Sequence, residues 1–345
     1  MPNLTLEDIA KKAGVSRSTA SRVVNDDPNV SDSVRRRVKQ VILNTGYQPH
    51  AAARMLASHR SWMIGLVLPR TVSNFFTDPY FPRLTQGIAQ ACNQHNYTLG
   101  LFLLDTKEDE KRIFPRISRK GLLDGIILQT AEKGDLLIER LVKSDFPVVI
   151  AGRPFIPNGI SYIDVDNVNA AHIAVSHLIQ LGYKRIGTIT GRMNRTYAID
   201  RKEGYVKAIT EQGWKVEEGL IALGDFSEEA GYKAMKQLLL VKPDAVFAAS
   251  DALAIGAIRA AREVGLHIPN DIAFVGFDDL PIASQSDINL TTVRQPIVQF
   301  GVQAVETLID LIENGIKPAR HIIMDTELVI RESCGASQKN INLRR

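Results

Sequence analysis

Leu4-Thr-Leu-Glu-Asp-Ile-Ala-Lys-Lys-Ala-Gly-Val-Ser-Arg-Ser-Thr-Ala-Ser-Arg-Val-Val-Asn25 is the stretch on which the architecture of the first part of the chain turns. Thr5 is suited to cap a helix, Glu7 and Asp8 fall in its first turn, and Ile9, Ala10 and Ala13 form one apolar face. Gly14 can adopt the backbone of a tight turn and Ser16 offers a second cap, so helix, turn and helix follow one another. In the second helix Ala20, Val23 and Val24 can face the first, which leaves Arg17, Ser18, Ser21 and Arg22 on a shared outer face. Arginines and small hydroxyls on such a face suit the major groove of B-DNA, where an Arg fork matches guanine O6 and N7. The alternative is a surface helix that the arginines merely solubilise.

Working outward, a third helix is expected from Ser31 to Thr45, with Val34, Val38, Val41 and Ile42 on one side and Gly46 as its stop. Ala51-Ala-Ala-Arg-Met-Leu-Ala57 is too short to be a stable free helix, so it either orders against DNA and a partner chain or serves as a plain linker. Leu56 is accordingly an apolar wedge between base steps or a residue packed on protein. Residues 1–60 carry ten Lys and Arg against five Asp and Glu, while the whole 345-residue chain has a net charge of +4, so the cationic excess sits in this first segment. That points to nucleic acid, and the near-neutral remainder to an ordinary domain.

From Trp62 on, the runs Ile64–Leu68, Leu99–Leu103, Gly125–Leu128, Val148–Ile150 and Tyr162–Val165 alternate with helical stretches. The cycle restarts with a helix near Val168–Leu181 and strands at Ile186–Ile189, Ala245–Ala248 and Ala273–Phe277. Two α/β lobes with parallel sheets are implied. Dinucleotide, triphosphate, serine-hydrolase and zinc-protease motifs are all missing from the sequence, which removes the usual anchors of an enzyme; His172 and His177 are spaced badly for a shared metal. Neither a catalytic set, nor a metal, nor a cofactor is expected. Cys92 and Cys334 form no Cys-x-x-Cys pair and read as inert thiols. With no apolar run near the about 20 residues needed to span a bilayer, and no export signal in Met1 to Gly14, a soluble cytoplasmic protein without membrane contact is expected.

The opening stretch, with the match continuing to Ala57, resembles the LacI/GalR family of bacterial transcription regulators, and residues 61 onward resemble type I periplasmic sugar-binding proteins. The resemblance implies a small all-α helix-turn-helix domain (1–46), a hinge segment (47–60), a Rossmann-like two-lobed core (61–333) and a tail (334–345). The first lobe would comprise about 61–165 plus 296–325 and the second about 166–294 plus 326–333. It further implies a homodimer on pseudo-palindromic operator DNA. Arg17, Ser18 and Arg22 would then read bases, Leu56 would be the wedge, and Thr5, Ser16, Asn25, Ser31 and Tyr47 would lie near phosphates. The tail lacks the heptads that would extend a dimer to a tetramer.

Open α/β sheets bind ligands beyond the carboxyl ends of their strands. Asp78, Tyr80, Phe81, Arg153, Phe226, Ser250 and Asp278 occupy such loops, and Arg201 adds a bidentate donor. Flat aromatic surfaces for C–H faces and charged partners for vicinal hydroxyls suit a sugar. The same aromatics could be plain core and the charges interlobe ion pairs. The resemblance, carried by Asp-Pro-Tyr-Phe81, Arg201-Lys-Glu-Gly-Tyr205, Val275-Gly-Phe-Asp-Asp279 and Arg294-Gln-Pro296, assigns these residues to an effector pocket and adds Gln295. Ser250 and Gly152 depart from the family's usual Asn and Asp, and the loop Arg70 to Thr77 is long, so a bulkier oligosaccharide or glycoside is one expectation; a purine-type corepressor is another, because aromatic platforms with Arg and Asp also suit a nucleobase. A transport-type binding protein is a third, weakened because Leu4–Asn25 stands where an export signal would be.

Overall fold

The computed structural model describes residues 4–24, 27–47, 60–69, 72–118, 121–129, 132–134, 136–285 and 287–336. They fall into a helical N-terminal unit ending at Trp62, joined by the short segment before Gly125, and an α/β unit that accounts for the rest.

In the first unit α1 (Leu6–Ala13) opens with a capping box: the Thr5 hydroxyl accepts from the Asp8 amide, and the Asp8 carboxylate accepts from the Thr5 amide at 2.8 Å. These bonds from Thr5 hold the Asp8 carboxyl below its usual range. Gly14, at φ 63°, turns the chain into α2 (Arg17–Val24), and α3 (Asp32–Thr45) ends at Gly46. The three helices bury Ile9, Ala13, Val23 and Val38 together with Tyr47.

The α/β unit holds two six-stranded sheets. The first consists of β1 (Met63–Pro69), β2 (Thr98–Leu104), β3 (Gly125–Leu128), β4 (Val148–Ala151), β5 (Ser161–Val165) and the late strand β11 (His321–Met324), in the order β11-β5-β4-β3-β1-β2, all parallel. The second holds β6 (Ile186–Thr190), β7 (Ile221–Leu223), β8 (Ala245–Ala248), β9 (Ala273–Asp278), β10 (Thr291–Arg294) and β12 (Glu327–Val329), in the order β12-β10-β9-β8-β6-β7. Among the described strands of this sheet only β12 runs antiparallel to its neighbour. The chain passes between the sheets after Val165, after Arg294 and after Met324.

Covering helices explain why the central strands are apolar on both faces. In the second lobe Val246 and Phe274 point toward α10 (Glu228–Leu238) and α11 (Asp251–Glu263), while Phe247 and Val275 point toward α8 (Asn167–Gln180) and α9 (Thr196–Glu211). That core continues to Cys334 and Ala336. In the first lobe α5 (Tyr80–Gln94) and α13 (Ile297–Asn314) cross where Gly87 and Gly301 meet, so close that a Cβ on either glycine would collide with the other helix's backbone. Cys92 is buried beside this crossing, which pushes its thiol up to about 11. His172 bonds Glu211 and His177 lies 3.4 Å from the Cys334 sulfur. The segment expected as a long loop before Asp78 contains a short helix, α4 (Val72–Thr77): Phe75 packs on Phe81 with ring centroids 6.3 Å apart and so gives the turn an apolar anchor.

Candidate functional site

Two surfaces gather the residues singled out from sequence, one in each unit. On α2, Ala20 and Val23 are buried and Arg17, Ser18 and Arg22 are exposed, as the apolar period requires; Ser21 is half-buried. Arg17 lies 3.8 Å from Glu7 and Arg22 lies 3.9 Å from Asp27. Such loose exposed pairs contribute little and exchange readily for other anions. Ser16 accepts from the Thr19 amide at 3.1 Å and so starts α2. Ser31 precedes α3 without a side-chain cap bond and is exposed, as is Thr5. Tyr47 differs from these: only 8% of it is exposed, and burial among the helices raises its phenol pKa. Asn25, Leu56 and the rest of the stretch 51–57 lie outside the described residues.

The α/β unit has a cavity of about 1000 Å³, its open mouth included, at the carboxyl ends of both sheets. Asp78, Tyr80, Phe81, Arg201, Phe226, Ser250, Asp278 and Gln295 line it. Arg153 does not: its guanidinium turns to Asp200, with NH2 2.6 and 2.7 Å from the two carboxylate oxygens. Sequence position placed it correctly after β4, but a carboxylate one helical turn into α9 competes for the charge. Ser250 is in the wall, yet its hydroxyl accepts from the Leu253 amide at 3.3 Å to start α11.

Each remaining side chain is held by its element. Arg201, on α9, lies with its guanidinium 3.6 Å from the centroid of Phe277, donates Nε–H to Asn167 at 2.9 Å and NH1 to the Ala249 carbonyl, and approaches Asp278 at 3.4 Å. Asp278 ends β9 at φ 112° and accepts from the Gln295 amide. The next residue, Asp279, also has positive φ, and its carboxylate is tied by Arg294 at 2.7 Å and Arg331 at 2.6 Å. Behind this turn the fully buried Asp251 accepts from the Leu280 amide and the Thr292 hydroxyl, which braces the uncommon backbone. Phe226, at φ 73°, lays its ring over Gly191, where a side chain would collide with it, and 5.3 Å from Tyr197.

Several polar groups of the wall have no partner among the described residues: one oxygen each of Asp78 and Asp278, the side-chain amide of Gln129, the Tyr80 and Tyr197 hydroxyls, and NH2 of Arg201. They mix acceptors with donors. Burial raises Asp78, Asp164 and Asp278, the last to about 7 despite the Arg201 charge beside it. Burial also raises Tyr80 and Tyr197, so both phenols stay protonated and able to donate.

Gln129, Asp164, Arg192, Arg195, Tyr197 and Asp225 line the cavity without having been singled out from sequence. Gln129 follows β3 and Asp164 lies near the end of β5, so the strand-end rule applied elsewhere reaches both. Arg195 and Tyr197 leave no such signal, because the turn into α9 is what brings them to the wall.

A model of bacterial regulatory proteins of the lacI family matches residues 5–50, and a model of a periplasmic binding protein-like domain matches residues 175–334. The chain is 33% identical to the HTH-type transcriptional regulator CelR of Thermobifida fusca over 95% of its own length and 98% of that protein's. It is 34% identical to catabolite control protein A of Priestia megaterium, covering 89% and 92% of the two chains. The HTH-type transcriptional repressor PurR of Proteus mirabilis is also 34% identical, over 95% and 96%. Among solved structures, a CelR–cellobiose complex superposes with a TM-score of 0.76 at 31% identity, over 96% of this chain and 99% of that one. A lac repressor dimer bound to operator and an anti-inducer, at 24% identity and with the same coverage, has a TM-score of 0.81 and shares the fold.

Proposed function

The chain belongs to the lacI family of bacterial regulatory proteins, and from that premise we propose that it is a homodimeric repressor of carbohydrate-utilisation genes whose operator affinity is set by a sugar or glycoside held in the cavity. Arg17, Ser18 and Arg22 enter the major groove, with Thr5, Ser16, Asn25 and Ser31 against phosphates, Tyr47 supporting that surface, and Leu56 as the minor-groove wedge. Its chemistry is binding and not catalysis, and it acts in the cytoplasm, where operators are.

The observation that carries the ligand assignment is the wall itself: acceptors and donors without a partner among the described residues share it with the aromatic rings of Tyr80, Phe81, Tyr197 and Phe226. A polyol carries donor and acceptor on every hydroxyl and apolar C–H on its ring faces, so it satisfies both sets at once. The relative solved with cellobiose supports a sugar of more than one ring. Effector binding alters operator affinity only if the ligand prefers one arrangement of the lobes.

A thermal-shift screen of mono- and disaccharides, aryl glycosides and purines, followed by operator titration with each hit, tests this. A disaccharide or glycoside is expected to raise the melting temperature by several degrees and to change operator affinity at least fivefold, in line with typical coupling energies. Stabilisation by purines alone would transfer the reading to a corepressor of nucleobase type, and sugars that bind without moving operator affinity would overturn the regulatory role.

A further inference from the structure

The two lobes are tied together on one side of the cavity by ion pairs and hydrogen bonds between their side chains and backbone. Glu132, after β3 in the first lobe, forms an antiparallel bridge with Arg195 of the second, and the Lys133 amide donates to the Asn194 carbonyl at 2.9 Å. The Arg195 guanidinium lies 2.5 Å from the Glu132 carboxylate, with 10% and 16% of the two side chains exposed. At the next residue the Thr196 hydroxyl donates to the Arg153 carbonyl at 2.6 Å, and Arg153 grips Asp200. Arg153 is itself anchored in the first lobe, its amide donating to Asp164 at 2.8 Å. The segment Asn194–Asp200 is thus fastened to the opposite lobe at both ends.

That same segment supplies Arg195 and Tyr197 to the cavity wall, and Arg201 follows directly. A single-residue bridge has little strength of its own, but removing one partner of a charge pair so nearly buried leaves the other uncompensated. We propose that Glu132 and Arg153 are positioning residues that clamp the start of α9 across the cleft, so that these two ion pairs, and not the ligand alone, set how often the cavity opens. The clamp gives its purpose to the ligand reading above and rests on it for that purpose only, because its existence can be measured without any ligand.

The Lys133 amide is the reporter, since its acceptor lies on the other lobe. In the full-length ligand-free protein its hydrogen exchange is expected to be at least tenfold slower than that of an unprotected amide. Glu132→Gln and Arg153→Gln should each speed it severalfold more than they speed exchange in β3 and β8, which reports any loss of overall stability. Combining Glu132→Arg with Arg195→Glu should restore most of the protection, which a merely local packing role would not do. Free exchange in the wild type, no acceleration in either variant, or no recovery in the swapped pair would each overturn the clamp. Failure of every sugar to bind, by contrast, would remove the ligand reading and leave these rates as they are.

Discussion

At the scale of single residues, Arg22 and Asp278 make opposite demands on their surroundings. Arg22 is exposed and only loosely paired with Asp27, so its truncation leaves no buried charge behind. Arg22→Ala should therefore keep the melting temperature within about 1 °C while reducing discrimination between operator and mutated operator by about 1–3 kcal/mol, the range for one bidentate base contact, in competition binding. Unchanged discrimination would remove it from base reading. Asp278 is buried, and its carboxyl is raised from 3.8 to about 7 chiefly by desolvation, with Asp78 adding to the rise and Arg201 opposing it. The folded state thus holds a proton that the unfolded chain releases near pH 4. The resulting stabilisation is complete below that pH and is lost as pH rises through about 7. Asp278→Asn cannot titrate, so the wild-type advantage over it should shrink as pH rises from 4 to 8 in denaturant titrations. A gap constant with pH would show that Asp278 ionises normally.

At the scale of elements, the first lobe depends on two helices that touch backbone to backbone. Gly301 faces the Leu84 carbonyl and the Ile88 amide, and backbone cannot yield as a side chain does. Gly301→Ala should destabilise the α/β unit by about 1–3 kcal/mol, the usual cost of overpacking, seen as a lower urea midpoint with an unchanged slope. A neutral result would mean that α5 and α13 can slide apart. The same scale shows which elements sequence could announce. Gly125–Leu128 and Ala245–Ala248 are central strands covered on both faces, and their continuous apolar runs give them away. β10 reads Thr-Thr-Val-Arg, and its threonines are buried only because Arg331 and Asp251, 40 and 41 positions away, satisfy their hydroxyls. β7, β11 and β12 are short strands at sheet edges, each of three or four residues with exposed positions, so no period has room to show. The candidate site follows the same division. Asp278 sits at a strand end and was legible there, Gln295 entered only through the family resemblance, and the approach of Arg195 and the withdrawal of Arg153 depend on partners in the opposite lobe.

At the scale of the α/β unit as a whole, each lobe has its own sheet and core, and the cavity belongs to neither alone. Two compact cores joined at a cleft are the architecture in which hinge motion is most readily stored, because each body stays rigid while a few connecting residues absorb the change in angle. The chain's three passages between the sheets, after Val165, Arg294 and Met324, determine what that motion can be. A single strap would let one lobe swivel freely. Three straps side by side behave like the leaves of a door hinge, resisting twist and sliding while permitting flexure about the line they share. They also make the joint redundant: a protease that severs any one passage leaves two intact, so a nicked molecule stays in one piece.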